Sequence, residues 1–187
     1  MPYVCMQEVI PTSLMKHQAE ATSRAVKMFQ RVLKYMGETN EEVSHEAAME
    51  IAQKLLHQAL KAPALRDELY MQLVKRSRGN PNVSTKLRCW ELLYLLCATV
   101  PPGKQLHMLV ASYLTGTAAD DMENAKVREK ASISMAALGR STATGARKTL
   151  PTAEEIDAAL CGQLMKYAVF FLDGNFQVCP TCLLDAC

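Results

Sequence analysis

The sequence predicts an all-α fold, a compact multi-helix bundle followed by a short C-terminal β-hairpin fragment. Two observations carry the helical part: apolar residues recur at steps of three and four through most of the chain, and Pro and Gly clusters punctuate them at helical lengths. A third marks the end of the bundle, where a run of aromatic and β-branched residues replaces the helical period. The chain has 187 residues, room for one full core and a fragment of a second. The expected organisation is a lead over 1–11, a helical domain over 12–160, and a linker with the first strands of another unit over 161–187.

A first amphipathic helix is expected from Thr12 to Met36, with Val26, Phe29, Leu33 and Met36 on one face and Gly37 where it stops. An acidic stretch containing Glu38, Glu41, Glu42, Glu46 and Glu50 leads into a second helix, whose Ile51, Leu55 and Ala59 share a face before Pro63. Leu65, Leu69 and Leu73 continue into a third, ended by Gly79, Asn80 and Pro81. Ser84 or Thr85 caps a fourth, in which Leu87, Trp90, Leu93, Tyr94, Leu96 and Cys97 leave almost no polar face, so it is the expected buried centre. Pro101 and Pro102 end it, and Leu106, Leu109, Val110, Tyr113 and Leu114 form a fifth helix up to Gly116. A sixth is expected over Met122 to Leu138, with a basic loop over Gly139 to Thr149. Thr152 and Glu155 form a capping box for a seventh through Leu160. Tyr167 to Leu172, then Asp173-Gly174, then Phe176 to Val178 give the hairpin.

Hydrophobic residues make up 49% and charged residues 21%, ordinary soluble usage, so neither disorder nor a fibrous repeat is indicated. With 21 basic residues against 19 acids the net charge is +2, too small to imply a nucleic-acid partner. No stretch approaches the ~20 apolar residues of a membrane helix, and Met1 to Met15 lack a signal-peptide pattern, so no membrane insertion and a cytoplasmic location are expected. The seven cysteines are scattered and odd in number, as reduced thiols are.

No catalytic set emerges, and neither an enzyme nor a cofactor is expected. His45-Glu46 resembles a zinc-protease helix, yet Met49 stands where the second histidine must be. Gly139 to Thr149 falls short of a phosphate loop, because five residues separate its glycines and Ala146 follows Gly145. Cys179 and Cys182 have zinc half-site or redox spacing, with Cys187 as a third thiol and no fourth ligand nearby, so a small metal or redox site there ranks last.

One surface feature stands out. Lys75, Arg76, Arg78, Lys86 and Arg88 lie between Leu69 and Trp90 without an acid, a cluster that favours a polyanion. The plainer alternative is that Lys75 and Arg76 complement a helix C-terminus while Arg88 packs internally against Glu91 or Asp67. Asp67, Arg88, Trp90 and Glu91 are assigned structural roles, with Trp90 in the core.

The elements Leu65-Arg66-Asp67-Glu68-Leu69-Tyr70, Gln72, Lys75, Asn80-Pro81, Arg88 before Trp90-Glu91-Leu92-Leu93, and Pro101-Pro102 together resemble the myosin tail homology 4 (MyTH4) domain. Leu138-Gly139-Arg140, Gly145-Ala146-Arg147-Lys148, Pro151 and Glu155-Ile156-Asp157-Ala158 are similar to that family's C-terminal portion. Tyr167 to Gly174 resembles the first strand and turn of the ubiquitin-like lobe of a FERM domain, although Val178 to Cys182 departs from that pattern. The wording from Met49 to Lys75 looks most like plant and algal calmodulin-binding kinesins. The resemblance implies a cytoskeletal adaptor of motor-tail type that binds microtubules (tubulin), with cargo proteins or a FERM domain as further partners. Lys75, Arg76, Arg78 and Lys86, joined by Lys104, Arg140, Arg147 and Lys148, are the expected microtubule-binding residues, meeting an acidic surface through several weak charge pairs. The alternative is a protein-interaction platform without microtubule affinity, relying on apolar area.

Overall fold

The computed structural model describes residues 11–181, apart from the side chains of 166–170 and 179–181. The helices are α1 (Ala19–Met36), α2 (His45–Lys61), α3 (Pro63–Ser77), α4 (Val83–Thr99), α5 (Lys104–Ala119), α6 (Ala125–Thr144) and α7 (Ala153–Cys161). The strands β1 (Met165–Phe170) and β2 (Phe176–Thr181) follow and pair antiparallel, Met165 opposite Thr181 and Phe170 opposite Phe176. The fold is an all-α bundle with a small hairpin.

Helix α4 occupies the centre, as its lack of a polar face demands, and packs against α1, α2, α3, α6 and α7. Trp90, Leu93, Leu95, Leu96 and Cys97 are wholly buried. Trp90 stacks on Tyr113 of α5, the ring centroids 5.5 Å apart and the planes 17° from parallel. Its cap is Asn82, whose carboxamide oxygen accepts from Ser84 N and Thr85 N, rather than Ser84 or Thr85. Asn80 completes the turn by accepting from Asn82 N.

Helix α1 starts at Ala19, later than expected. Residues 11–18 form an irregular strap because the carboxylate of Glu68, fully buried in α3, accepts hydrogen bonds from Leu14 N and Met15 N, both at 2.8 Å. Those amides are therefore directed away from a helical ladder. The Leu14 side chain packs on Phe29 and Leu33. At the other end of α1, Gly37 adopts the left-handed conformation (φ 75°) and its N–H reaches Leu33 O and Lys34 O.

Helix α6 runs through Thr144, so Gly139 to Thr144 is helical and not the basic loop expected from its glycines. The core stripe Val127, Ala131, Ser134, Leu138 and Ser141 keeps helical spacing across Gly139, and Asn124 caps the start. Likewise α5 passes through Gly116 to Ala119. Thr152 and Glu155 form the capping box of α7. The hairpin turn is a five-residue loop, closed by Phe171 N to Asn175 O at 2.8 Å and by Asp173 accepting from Asn175 N, in place of a two-residue Asp-Gly turn.

Candidate functional site

The hydrogen bonds orient the helices and divide the basic residues between two ends of the bundle. With 17 residues, α4 spans about 25 Å. Its N-terminal end lies beside the C-termini of α1, α3 and α5 and the start of α6. Its C-terminal end lies beside the starts of α3 and α5 and the end of α6.

At the N-terminal end two of the four expected contact residues, Arg76 and Lys86, are consumed internally. Arg76 is only 3% exposed and ion-paired with Glu38, whose carboxylate also accepts from Asn80 Nδ2 at 3.3 Å. Lys86 is buried against Glu123. Neither is a surface cation, because each long side chain lays its stem on the core and finds a carboxylate from another segment. Arg88 turns inward as the sequence suggested, but its partner is Tyr35, not Glu91 or Asp67. Its Nε donates to Tyr35 O at 2.6 Å and its guanidinium lies 4.8 Å from the Tyr35 ring centroid. The Tyr35 hydroxyl is 3.1 Å from Glu91 Oε2; burial, reinforced by that carboxylate, pushes its pKa well above the usual tyrosine range. Lys75 and Arg78 are exposed and have no ion pair among the described residues, but Glu38, Glu41, Glu42, Asp120, Asp121 and Glu123 share this end. Four of these acids are already ion-paired, with Arg76, Lys34, Arg128 and Lys86, so the charge at this end is mixed, with Glu42 and Asp120 alongside the two exposed cations.

The C-terminal end is different. Asp67 ties α3 to α5 by accepting from Gly103 N at 2.8 Å; a Cβ on Gly103 would come within 2.5 Å of that carboxylate and push it from its present place. Arg147 N donates to Thr99 O at 2.9 Å, and the Arg147 guanidinium pairs with Glu155 at 3.1 Å, side chains 8% and 10% exposed. Arg147 therefore clamps the loop after α6 to α7 and is no surface contact either. Gln53 holds the same loop from α2 by donating to Pro151 O at 2.9 Å. His107 and Thr142, 3.1 Å apart, join the start of α5 to the end of α6.

Lys104, Arg140 and Lys148 project from this end, exposed and without an ion-pair partner among the described residues. Lys61, the last residue of α2, belongs with them, because two residues later the chain enters α3 and then reaches Asp67. Sequence reading missed Lys61, since more than forty positions separate it from Lys104 and only the bundle brings them to one end. The exposed acid closest along the chain is Glu154, in the first turn of α7. Of the eight cations expected to act together, the structure gathers three, adds a fourth, buries or clamps three others, and leaves Lys75 and Arg78 at the far end.

The near-miss motifs resolve into ordinary packing. His45 Nε2 meets Asp157 Oδ1 at 3.0 Å across α2 and α7, and Met49 is buried. No group of three potential metal ligands occurs among the described residues. Of the C-terminal cysteine trio, Cys182 and Cys187 lie outside the described residues, and of Cys179 only the backbone, in β2, is described. No described helix is long and apolar enough to cross a membrane.

The family model for the MyTH4 domain matches residues 52–158, more than half of the chain and the stretch that builds both ends of α4. The chain belongs to the MyTH4 domain family. Kinesin-like protein KIN-14I of Oryza sativa subsp. japonica is 38% identical over 176 residues, 93% of this chain and 14% of that protein. The myosin-I heavy chain of Dictyostelium discoideum is 36% identical over 172 residues, 90% of this chain and 7% of that one. Among solved structures, a mutant Dictyostelium discoideum myosin VII MyTH4-FERM MF1 domain superposes with a TM-score of 0.84 at 31% identity, over 95% of this chain and 36% of that one. This MyTH4 domain thus spans a small part of the length of the motor proteins it matches.

Proposed function

We propose that this MyTH4 domain is a non-catalytic cytoskeletal adaptor that binds microtubules through the C-terminal end of α4. The observation that carries the reading is the convergence of Lys61, Lys104, Arg140 and Lys148 at that end, exposed and without ion-pair partners among the described residues. The similarity to kinesin-like proteins over nearly the whole chain supports a motor-tail setting. An exposed ion pair contributes ~0 to 1 kcal/mol, so the four together supply a weak, additive and salt-labile attraction for an acidic surface. Lys75 and Arg78, among acids about 25 Å away along α4, contribute little.

Cosedimentation with taxol-stabilised microtubules across a salt series tests this. Replacing Lys61, Lys104, Arg140 and Lys148 by glutamate is expected to abolish binding in a folded protein, whereas Lys75→Glu with Arg78→Glu leaves it within about twofold. Equal loss in both variants would show that the surface is misplaced. No binding by the native chain at low salt would favour a second reading, a platform for cargo or a FERM lobe, to which the exposed Leu172, Phe176 and Val178 of the hairpin point.

A further inference from the structure

The same end of the bundle carries an apolar group left largely in solvent. Met108 of α5 is 74% exposed, although α5 is otherwise amphipathic with Leu106, Val110 and Leu114 buried. It stands one turn after Lys104 on the same strip of the helix. The contact between His107 and Thr142 at 3.1 Å and that between Thr115 and Met135 at 3.2 Å set the register of α5 against α6. In that register Met108 lies level with the α6 turn over 139–142, on whose α5-facing side are Gly139 and Thr142. Gly139 has open space where a Cβ would stand, and Met135, also exposed, lies one turn before it. Met108, Met135 and Gly139 thus line the outer edge of the seam between α5 and α6, with cationic Lys104 one turn from Met108.

We propose that Met108 is the apolar anchor of the microtubule-contacting surface, so that the domain recognises an acidic protein surface with an apolar spot at its centre rather than negative charge alone. The inference rests on the binding reading above and adds a specificity-determining residue to it. Charge complementarity selects the occupant: exposed Lys104, without an ion pair among the described residues, stands one turn from Met108, and an acidic partner would satisfy it while covering Met108. A methionine suits such a contact because its unbranched, polarizable side chain adapts to the partner's shape. Covering one large apolar side chain contributes more than any single exposed ion pair, and interface energy commonly concentrates in a few such anchors inside a polar rim. Leu109 is the internal control. It is exposed as well, but lies 100° further round the helix, away from α6.

The test is cosedimentation of the full chain with taxol-stabilised microtubules, comparing native protein, Met108→Ser, Leu109→Ser and Lys104→Glu over a salt series, with thermal unfolding as the folding control. Met108→Ser is expected to weaken binding about tenfold or more at every salt concentration, leaving the slope of log affinity against log salt unchanged. Lys104→Glu should instead flatten that slope, and Leu109→Ser should stay within about twofold of native. Native binding that Met108→Ser alters no more than Leu109→Ser overturns the anchor while leaving the electrostatic reading intact. Absence of binding by the native chain overturns both.

Discussion

Removing the Glu68 carboxylate is the most informative perturbation of the fold. It is fully buried and accepts from Leu14 N and Met15 N at 2.8 Å and from Gln72 Nε2 at 2.9 Å, with His17 Nε2 at 3.4 Å. Glu68→Ala strands the Leu14, Met15 and Gln72 donors. A hydrogen bond to a charged group contributes about 1.5 to 3 kcal/mol net, and a buried donor left alone costs about 1 to 3 kcal/mol. The strap can peel away and let water reach the Leu14 and Met15 amides, but it then loses the packing of Leu14 on Phe29 and Leu33. The expected cost is therefore about 3 to 5 kcal/mol, the range for breaking a buried charged network. Glu68→Gln keeps one acceptor but turns an amide donor towards one of the donors the carboxylate serves, so a cost of about 1 to 3 kcal/mol is expected. Urea unfolding followed by far-UV circular dichroism gives both values, and hydrogen exchange at Leu14 and Met15 reports the strap directly. A Glu68→Ala protein within about 0.5 kcal/mol of native, a shift typical of an uninvolved surface site, with both amides still protected, would refute the account of Glu68 as the strap's anchor.

Trp90→Ala, which empties a wholly buried site stacked on Tyr113, is expected to cost about 3 to 5 kcal/mol in the same urea assay; unchanged stability would remove Trp90 from the core. Alkaline pH should destabilise the domain. Burial pushes the Tyr113 hydroxyl up to about 12 and raises Tyr35 and Tyr70 as well, so the native state holds protons that the unfolded chain gives up near pH 10. This contribution is intact below pH 10 and is lost as pH rises towards 12, at up to about 1.4 kcal/mol per unit for each tyrosine. The urea midpoint should fall between pH 10 and 11 and fall less in Tyr113→Phe; a flat midpoint, or no difference between the two proteins, contradicts it.

Helix existence was legible because apolar spacing and punctuation are local signals, and Thr152 with Glu155 marked the start of α7 to the residue. Helix limits were less so. Gly116 and Gly139 read as stops, yet each costs a helix only about 1 kcal/mol relative to alanine, which packing on the core stripe overrides. The late start of α1 was invisible, since Glu68 acts from fifty-four positions away. The same limit governed the surface. A run of cations in sequence says nothing about the carboxylates that tertiary structure brings to it, so Arg76, Lys86 and Arg147 read as free while Glu38, Glu123 and Glu155 awaited them. Lys61 was overlooked for the converse reason: its neighbours come from other helices.

The strap held by Glu68 has a mechanical side. It enters beside the start of α1 and the first half of α3, towards the C-terminal end of α4, whereas α7 runs the other way, from the Arg147 clamp to the contact between Asp157 and His45, and hands the chain to Gly162 at the opposite end. Tension on the flanking segments therefore runs along the helices and loads their interfaces in shear, so that packed side chains must slide past one another together. Single-molecule pulling through residues 11 and 163 should accordingly meet higher resistance than pulling through two sites at one end, and the Glu68 grip on two backbone amides is the contact that takes the first load.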